Sequence, residues 1–514
     1  MSVTLSSKAF LALFFISFFV RYFRLLINAL ALVRFKPHAL PFAPSFTLKD
    51  VTFVMPTTFS RPAETLECLQ RVHDCGPAKL VIVTSDDNVD SVQFACKLRG
   101  MSGVTVLGVP QLNKRRQMLK GLEHVGTEIT FFIDDDVLYP SVDLPKHLLS
   151  CFEDPIVGAA GPRQRNRRTN KPNVWNFLGT SYLERRNFNT GATNYIDGGI
   201  STLSGRTQAI RTAILKNEEF YKYFCNDSFL GRKLMVDDDK ALTRFIYSRG
   251  WNIKLNFHKD CTIETTFEEG AKYFSQCIRW ARGHWRGNLI VMAKEDYWYR
   301  KHLWTLYAVY LSQFQTPAFL MDGSLLVLLQ AATTDLEDTA RVTVINLLVA
   351  WILFSKIVKL LPHLARHPQD CVFVPCGILF SYLHGFINVY ALFTTHKTIW
   401  GSRATAEDDV VAAVHGPSCY ERPRIVRTSH ENTDSYCREV QARIGRVSML
   451  HSGHTGKGTN ITTSFERWLL SWTGSSQQSS RAGELTCRGR LRRLPESGSK
   501  GYLMECDLRL NAYF

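Results

Sequence analysis

Three clusters of carboxylates and one run of arginine, glutamine and tryptophan are the residues whose types and spacing suit chemistry. In "FFIDDDVLYP" an apolar run ends in Asp134, Asp135 and Asp136. Side chains alternate along an extended backbone, so Asp134 and Asp136 can point to one side with Asp135 between them. Two hard carboxylate oxygens so placed suit Mg²⁺ or Mn²⁺, ions that hold one or two protein carboxylates plus substrate phosphates. An acidic turn closing a strand is the alternative. "VTSDDN" ends another apolar run in Asp86 and Asp87. A carboxylate there can accept a hydrogen bond from a base or ribose, or simply make a turn. "VDDDKALTRF" sets Asp237, Asp238 and Asp239 at the start of a helical pattern. Acids complement a helix N-terminus, yet three adjacent carboxylates repel, and that repulsion can tune one of them as a general base.

The cationic counterparts are "LNKRRQM" and "SQCIRWARGHWRGN". In the first, Lys114, Arg115 and Arg116 could meet a diphosphate, arginine by paired hydrogen bonds, or form a solvated helix face. In the second, Gln276, Arg279 and Trp280 stand at i, i+3 and i+4 and so share one helical face. Arg282, Trp285 and Arg286 continue onto neighbouring turns. An amphipathic interfacial helix accounts for the arginines and tryptophans. It leaves the amide of Gln276 unexplained.

The elements that must position these groups are short and alternate in type. "VTFVMPTTF", "KLVIVTSDDN", "GVTVLGV" and "EITFFIDDDV" read as buried strands, and "TLECLQRVHDC" and "KRRQMLKGLEHV" have helical spacing. Strands alternating with helices at this interval predict an α/β fold with a mostly parallel, doubly wound sheet. Ligands bind such sheets at the carboxyl ends of the strands, where the first two acidic clusters fall.

The chain has 514 residues, a formal charge of +16 and 13 cysteines. No zinc-finger, RNA-recognition or helix-turn-helix pattern accompanies the charge. It is therefore assigned to membrane lipids and an anionic substrate rather than to nucleic acid. The cysteines are odd in number and contain no C-x-x-C pair, as expected of reduced thiols in a cytosolic domain. Segments 303–332, 342–361 and 372–393 are long and apolar enough to cross a membrane. Segment 10–33, interrupted by Arg21 and Arg24, reads as a membrane anchor rather than a secretory signal, since its apolar character resumes after Arg24.

The order of a strand-end Asp, D-x-D, a later Asp cluster and Q-x-x-R-W, followed by membrane helices, resembles the processive family-2 membrane glycosyltransferases. These include the hyaluronan, cellulose and chitin synthases. The motifs "NVWNFLGTSYLERRNFNT", "LSGRT", "DDDKALTR" and "QCIRWARGHWRGN" are similar to the fungal capsular-polysaccharide-synthase-like branch, and "WGSR" (400–403) resembles the hyaluronan-synthase W-G-T-R. The resemblance spans about residues 48–403 and implies a GT-A type fold using a UDP-sugar. It places Pro56, Thr57 and Asp86 in a uridine pocket and Lys114 and Arg115 near the diphosphate. Asp134 and Asp136 become the D-x-D that holds Mg²⁺ or Mn²⁺, with Asp136 the foremost ligand. Asp239 becomes the catalytic base, with Asp238 in reserve. Gln276, Arg279 and Trp280 cradle the acceptor end and the leaving diphosphate, with Ser204, Gly205 and Arg206 nearby.

Four parts follow: an anchor (1–47), a cytosolic GT-A domain (48–297), transmembrane or interfacial helices with the WGSR loop (298–403), and a poorly ordered tail (404–514). The expected activity is inverting transfer onto a β-linked polysaccharide acceptor that is passed across the bilayer, plasma membrane first and Golgi second. Single addition to a lipid or small acceptor, and an inactive membrane scaffold, are the competing readings. Three crossings after residue 300 conflict with a WGSR loop on the catalytic side, unless segment 303–332 lies partly in the interface.

Overall fold

The computed structural model describes residues 6–169, 171–315, 317–398, 490–493 and 502–505. Its centre is a nine-stranded sheet built from β1 (Val51–Pro56), β2 (Lys79–Ser85), β3 (Val104–Val109), β4 (Ile129–Ile133), β5 (Val137–Leu138), β6 (Val157–Asn166), β7 (Thr207–Arg211), β10 (Asn252–Asn256) and β11 (Thr262–Thr265). A separate small hairpin pairs β8 (Ser228–Phe229) with β9 (Arg232–Lys233). The sheet order is β3-β2-β1-β4-β7-β6-β11-β5, with β10 also on β6. Alternation divides each central strand between two cores. Phe53, Met55, Leu80, Ile82, Phe131 and Ile133 pack under the helices Pro62–Asp74, Val89–Leu98 and Leu144–Leu149. Val54, Val81, Val83 and Phe132 pack on the opposite face with α2 (Lys114–Leu122) and α4 (Asp238–Ser248).

The sheet is less parallel than the sequence predicts. β7 runs antiparallel between β4 and β6, and β5 runs antiparallel to β11. "TQAIR" carries no apolar alternation, so its pairing is set by its neighbours on both sides. The reversal has a direct consequence for the acidic end of β4. Ile133 pairs with Thr207, which brings the segment before β7, Ser204–Arg206, beside Asp134; the Asp134 amide donates to the Arg206 carbonyl at 3.2 Å.

Helix α3 (Val174–Asp197) follows β6, and α5 (Ala271–Lys294) follows the sheet. α5 buries Tyr273, Cys277, Ala281 and Trp285 in the same core as Ile387 and Ala391 of α8 (Val374–Phe393). With α1 (Ser7–Arg34), α6 (Ala318–Ala332) and α7 (Asp338–Ile357), α8 forms the apolar block. Phe14, Tyr22, Leu325, Leu329, Leu348 and Ile352 are the core shared by α1, α6 and α7. Among the described residues, three helices are long and apolar enough to cross a membrane: α1, the span from Asp338 to Arg366 and the span from Pro368 to Phe393. Segment 303–332 is broken. A π-helical turn, Leu306–Tyr310, and a 3₁₀ turn, Leu311–Gln315, precede Pro317, and only α6 continues beyond them. Its 15 residues reach roughly 22 Å against the 30 Å of a bilayer core. WGSR lies outside the described residues, as does the 404–514 tail apart from β12 (Arg490–Arg493) and β13 (Tyr502–Glu505), which pair antiparallel.

Arg115 corrects an expectation. The Asn113 side chain caps α2 by accepting from the amides of Arg115 and Arg116, and the next residue inward points into protein. The Arg115 guanidinium is 1% exposed, pairs with Asp227 at 2.9 Å and donates to the carbonyls of Phe224 and Val236. Arg244 holds the other oxygen of Asp227 at 2.8 Å. It therefore welds α2 to the segment before Asp237 and does not face a diphosphate. Arg115→Met strands part of a buried charge and should cost about 3 kcal/mol of stability, read as earlier unfolding in detergent, with no change in donor KM for the protein that remains folded.

Candidate active site

The carboxyl ends of β1 and β4, the segment before β7, the start of α4 and one face of α5 enclose a cavity of about 290 Å³. Its floor is acidic. Asp134, Asp135 and Asp136 stand opposite Asp237, Asp238 and Asp239, and like charges at this density need cations or donors to hold them. Lys114, on the first turn of α2, supplies the bridge: its Nζ lies 2.7 Å from Asp134 Oδ1 and 3.1 Å from Asp238 Oδ2. Burial works against that ammonium, but the charges of Asp134 and Asp238 outweigh it and keep Lys114 protonated well above its ordinary range. Gly205 leaves the space, since a Cβ there would lie 2.8 Å from Nζ. Asp135 accepts from Thr57 Oγ1 at 2.5 Å, so Thr57, fully buried, serves the cavity from behind.

Asp136 lines the cavity and keeps an exposed surface. The protein atoms crowded about its carboxyl, followed by the charges of Asp134 and Asp135, push it up to about 7. Three adjacent carboxylates, one of them this hard to ionise, are short of positive charge. Asp134 and Asp136 therefore fit a hard divalent cation, held by one or two carboxylates with the rest of its shell left to water and phosphate.

Asp237 adopts the left-handed conformation (φ 58°, ψ 40°), rare for a residue with a Cβ. Arg286 of α5 holds it there, Nε to Asp237 Oδ2 at 2.7 Å. Gly283, one turn earlier on α5, lets the carboxylate approach; a Cβ would sit 2.5 Å from Asp237 Oδ1. With Asp237 turned to α5, Asp238 and Asp239 begin α4 at the cavity. Burial first, and then the charge of Asp238, pushes the Asp239 carboxyl up to about 6. Behind it, burial lowers Lys240 to about 8 while its Nζ donates to Thr202 Oγ1 at 2.8 Å.

Gln276, Arg279 and Trp280 do share the face of α5 that lines the cavity. The Gln276 carbonyl oxygen is buried and has no hydrogen-bond partner among the described residues. Trp280 is fixed by Tyr182 (4.8 Å between centroids) and by Phe267 edge-on (5.5 Å). Arg206 and Arg279 lie 5.5 and 5.9 Å from its ring centre. The remaining members of the run have other work. Trp285 is buried rather than interfacial and donates to the Asn388 carbonyl of α8 at 2.9 Å. Arg282 donates to Thr394 Oγ1, and Arg286 to the carbonyls of Thr395 and Lys397. They pin the strap after α8, which carries Lys397 and Thr398 into the cavity wall.

Of the positions expected at the site, Pro56, Lys114, Asp134, Asp136, Ser204, Gly205, Arg206, Asp238, Asp239, Gln276, Arg279 and Trp280 all line it. Asp86 does not line it; it follows β2, three residues beyond Val83, the partner of Pro56, and its carboxylate lies over Gly108 of β3. Sequence reasoning missed Gln117, whose amide donates to the carbonyls of Thr57 and Val83. It also missed the Arg61–Glu268 pair at the mouth (2.7 Å) and Lys397. Only the basic character of "HKTIWGSR" hinted at the last.

Comparison with known proteins identifies the family. Residues 50–283 match the family model described as glycosyltransferase like family 2. A type 2 glycosyltransferase of Zymoseptoria tritici is 39% identical over 395 residues, 76% of this chain and 84% of that protein. The chain is a family-2 glycosyltransferase. A hyaluronan synthase of Streptococcus pyogenes is 27% identical over 299 residues, 56% of this glycosyltransferase and 66% of the synthase. Among solved structures, a mannosyltransferase of Pyrobaculum calidifontis in complex with GDP-Man and Mn²⁺ aligns with a TM-score of 0.49 and 16% identity, covering 77% of this chain and 99% of that one.

Two outcomes follow for this glycosyltransferase. A methyl group at Gly283 must push Asp237 off Arg286 and shift the start of α4, so Gly283→Ala should lower kcat for donor turnover by about tenfold or more. The amount of folded protein, measured alongside, should stay level. If Asp239 acts as a base, it works only when ionised; its raised carboxyl then makes the rate fall as pH drops through about 6, which a pH–rate profile reads directly.

Proposed function

We propose that this cavity transfers sugar from a UDP-sugar to a growing β-linked polysaccharide with inversion, and that the chain leaves between the membrane helices. The observation that carries the reading is the position of Trp280. Its ring borders the acidic cavity on one side and, on the other, a second cavity walled by α1, α3, α5, α7 and α8. An acceptor resting on that ring has the reacting end in one cavity and its length in the other.

In this reading Pro56, Thr57 and Asp86 serve the uridine end of the donor. Asp134 and Asp136 hold Mg²⁺ or Mn²⁺; the ion, when bound, neutralises charge that develops on the departing diphosphate. Lys114 and Arg279 turn their cationic groups to the same oxygens. Asp239 takes the proton of the attacking hydroxyl, and Asp238 keeps Lys114 within reach. Gln276 offers its unpartnered oxygen to an acceptor hydroxyl, and Trp280 offers a flat apolar face to a sugar ring. The break in segment 303–332 leaves two long spans after residue 300, an arrangement that suits a WGSR loop on the catalytic, cytosolic side. Membrane lipids are the surroundings, with the plasma membrane the favoured site.

Single addition to a small or lipid acceptor uses the same machinery without a polymer. UDP release from membranes offered individual UDP-sugars with Mg²⁺ or Mn²⁺ tests the transfer itself. One sugar or one pair should support release, and Asp239→Asn should lower it by about 10²–10⁴-fold. A polymer on sizing supports processive synthesis, whereas a single-residue adduct overturns it. No release with any donor, alone or in pairs, moves the chain to a scaffold.

A further inference from the structure

The second cavity, about 390 Å³, is lined by three pairs of cations from three separate elements. Arg21 and Arg24 come from α1, Arg185 and Arg186 from α3, and Lys356 and Lys359 from the last turn of α7 and the 3₁₀ turn that continues it. No carboxylate among the described residues lines it. Asp322, just behind the wall, pairs with Arg21 at 3.3 Å and Lys356 at 2.7 Å, which offsets part of the charge.

The other cations meet neutral acceptors. Arg24 donates to the Ala308 carbonyl at 2.8 Å, Arg186 to the Thr202 carbonyl at 3.0 Å and Lys359 to Asn189 Oδ1 at 3.4 Å. Arg185 has no hydrogen bond or ion pair among the described residues. Such acceptors satisfy donor atoms but leave net charge uncompensated, and enclosed charge without a counter-charge is costly. Burial already pushes Arg186 down to about 10.

We propose that this cavity receives a negatively charged stretch of the acceptor saccharide, one bearing carboxylate or similar anionic groups on its rings. The proposal rests on the transfer reading above and names the class of its acceptor. Two features favour an acidic saccharide over the phosphate of a lipid. The cations are distributed in pairs over three elements, which suits charge recurring along a guest rather than charge at one headgroup. Between them stand Tyr182, Asn189, Asn288, Gln313 and Trp280, groups that bind ring hydroxyls and ring faces.

The test is direct binding to the purified full-length chain in detergent, without donor. The probes are tetragalacturonate, its carboxyl-reduced neutral counterpart and a polyprenyl phosphate. Tetragalacturonate should bind at least about tenfold more tightly than the reduced form, weaken as salt rises, and lose that advantage in Arg185→Gln and in Lys359→Gln. Arg185→Gln removes no bond seen among the described residues, so its folding is secure. Equal affinity for charged and neutral forms, no binding of either, or an advantage that survives both substitutions overturns the proposal. Binding of polyprenyl phosphate alone overturns it in favour of a lipid headgroup. UDP release measured on the same preparations separates the two readings. Charge-selective binding without release with any donor sinks the transfer reading and leaves the cavity assignment standing; release without charge-selective binding does the reverse.

Discussion

Six aspartates share one cavity, and the rest of the site is arranged around keeping them there. Lys114 bridges Asp134 and Asp238, Thr57 donates to Asp135, and Arg286 draws Asp237 aside. Each contact comes from a different element: α2, the end of β1, and α5. None of these elements can shift without releasing a charge into its neighbours, so the mutual repulsion of the acids fixes where the elements must stand. The raised carboxyls of Asp136 and Asp239 are what this restraint leaves over. They mark the two positions where an added cation or a captured proton relieves the most repulsion.

The antiparallel strand β7 and the helix α5 make that arrangement possible. Reversal at β7 carries Ser204–Arg206 to the end of β4, which a wholly parallel sheet would have sent to the opposite edge. Arg206 then reaches Trp280 and Phe267, so the acidic floor and the aromatic wall are joined through one guanidinium. Helix α5 serves three partners at once. Gln276, Arg279 and Trp280 face the cavity, Gly283 and Arg286 receive Asp237, and Trp285 is tied to α8. Glycine at 283 and again at 287, where a Cβ would meet Lys240, is the condition for α4 and α5 to lie this close.

The sequence was most informative where chemistry and period coincide. Buried runs such as "KLVIVTS" could hardly be anything but central strands, and their acidic ends announced the site edge. The face shared by Gln276, Arg279 and Trp280 followed from helical spacing alone. Failures came where a side chain's direction is decided by distant chain. Arg115 sits between Lys114 and Arg116 in a run that looks uniformly cationic, yet one turns to the cavity and the next into the core, because Asp238 and Asp227 arrive from more than a hundred residues away. β7 was illegible for the same reason, its pairing being imposed by two neighbours. Trp285 looked interfacial, since the partner that buries it belongs to α8.

The arginines that interrupt α1 show how such context reverses a reading. As sequence, Arg21 and Arg24 look like a flaw in an anchor or a basic flank facing lipid. In the fold they turn inward, to Asp322, the Gln315 carbonyl and the Ala308 carbonyl, against the broken stretch that precedes α6. The break and the arginines explain one another. A π-turn and a 3₁₀ turn leave backbone carbonyls without helical partners, and an apolar surrounding makes those carbonyls expensive to leave unmet. Guanidinium groups from α1 supply the donors. The same groups then hold α1 against the cavity behind Trp280, so α1 is part of that cavity's wall.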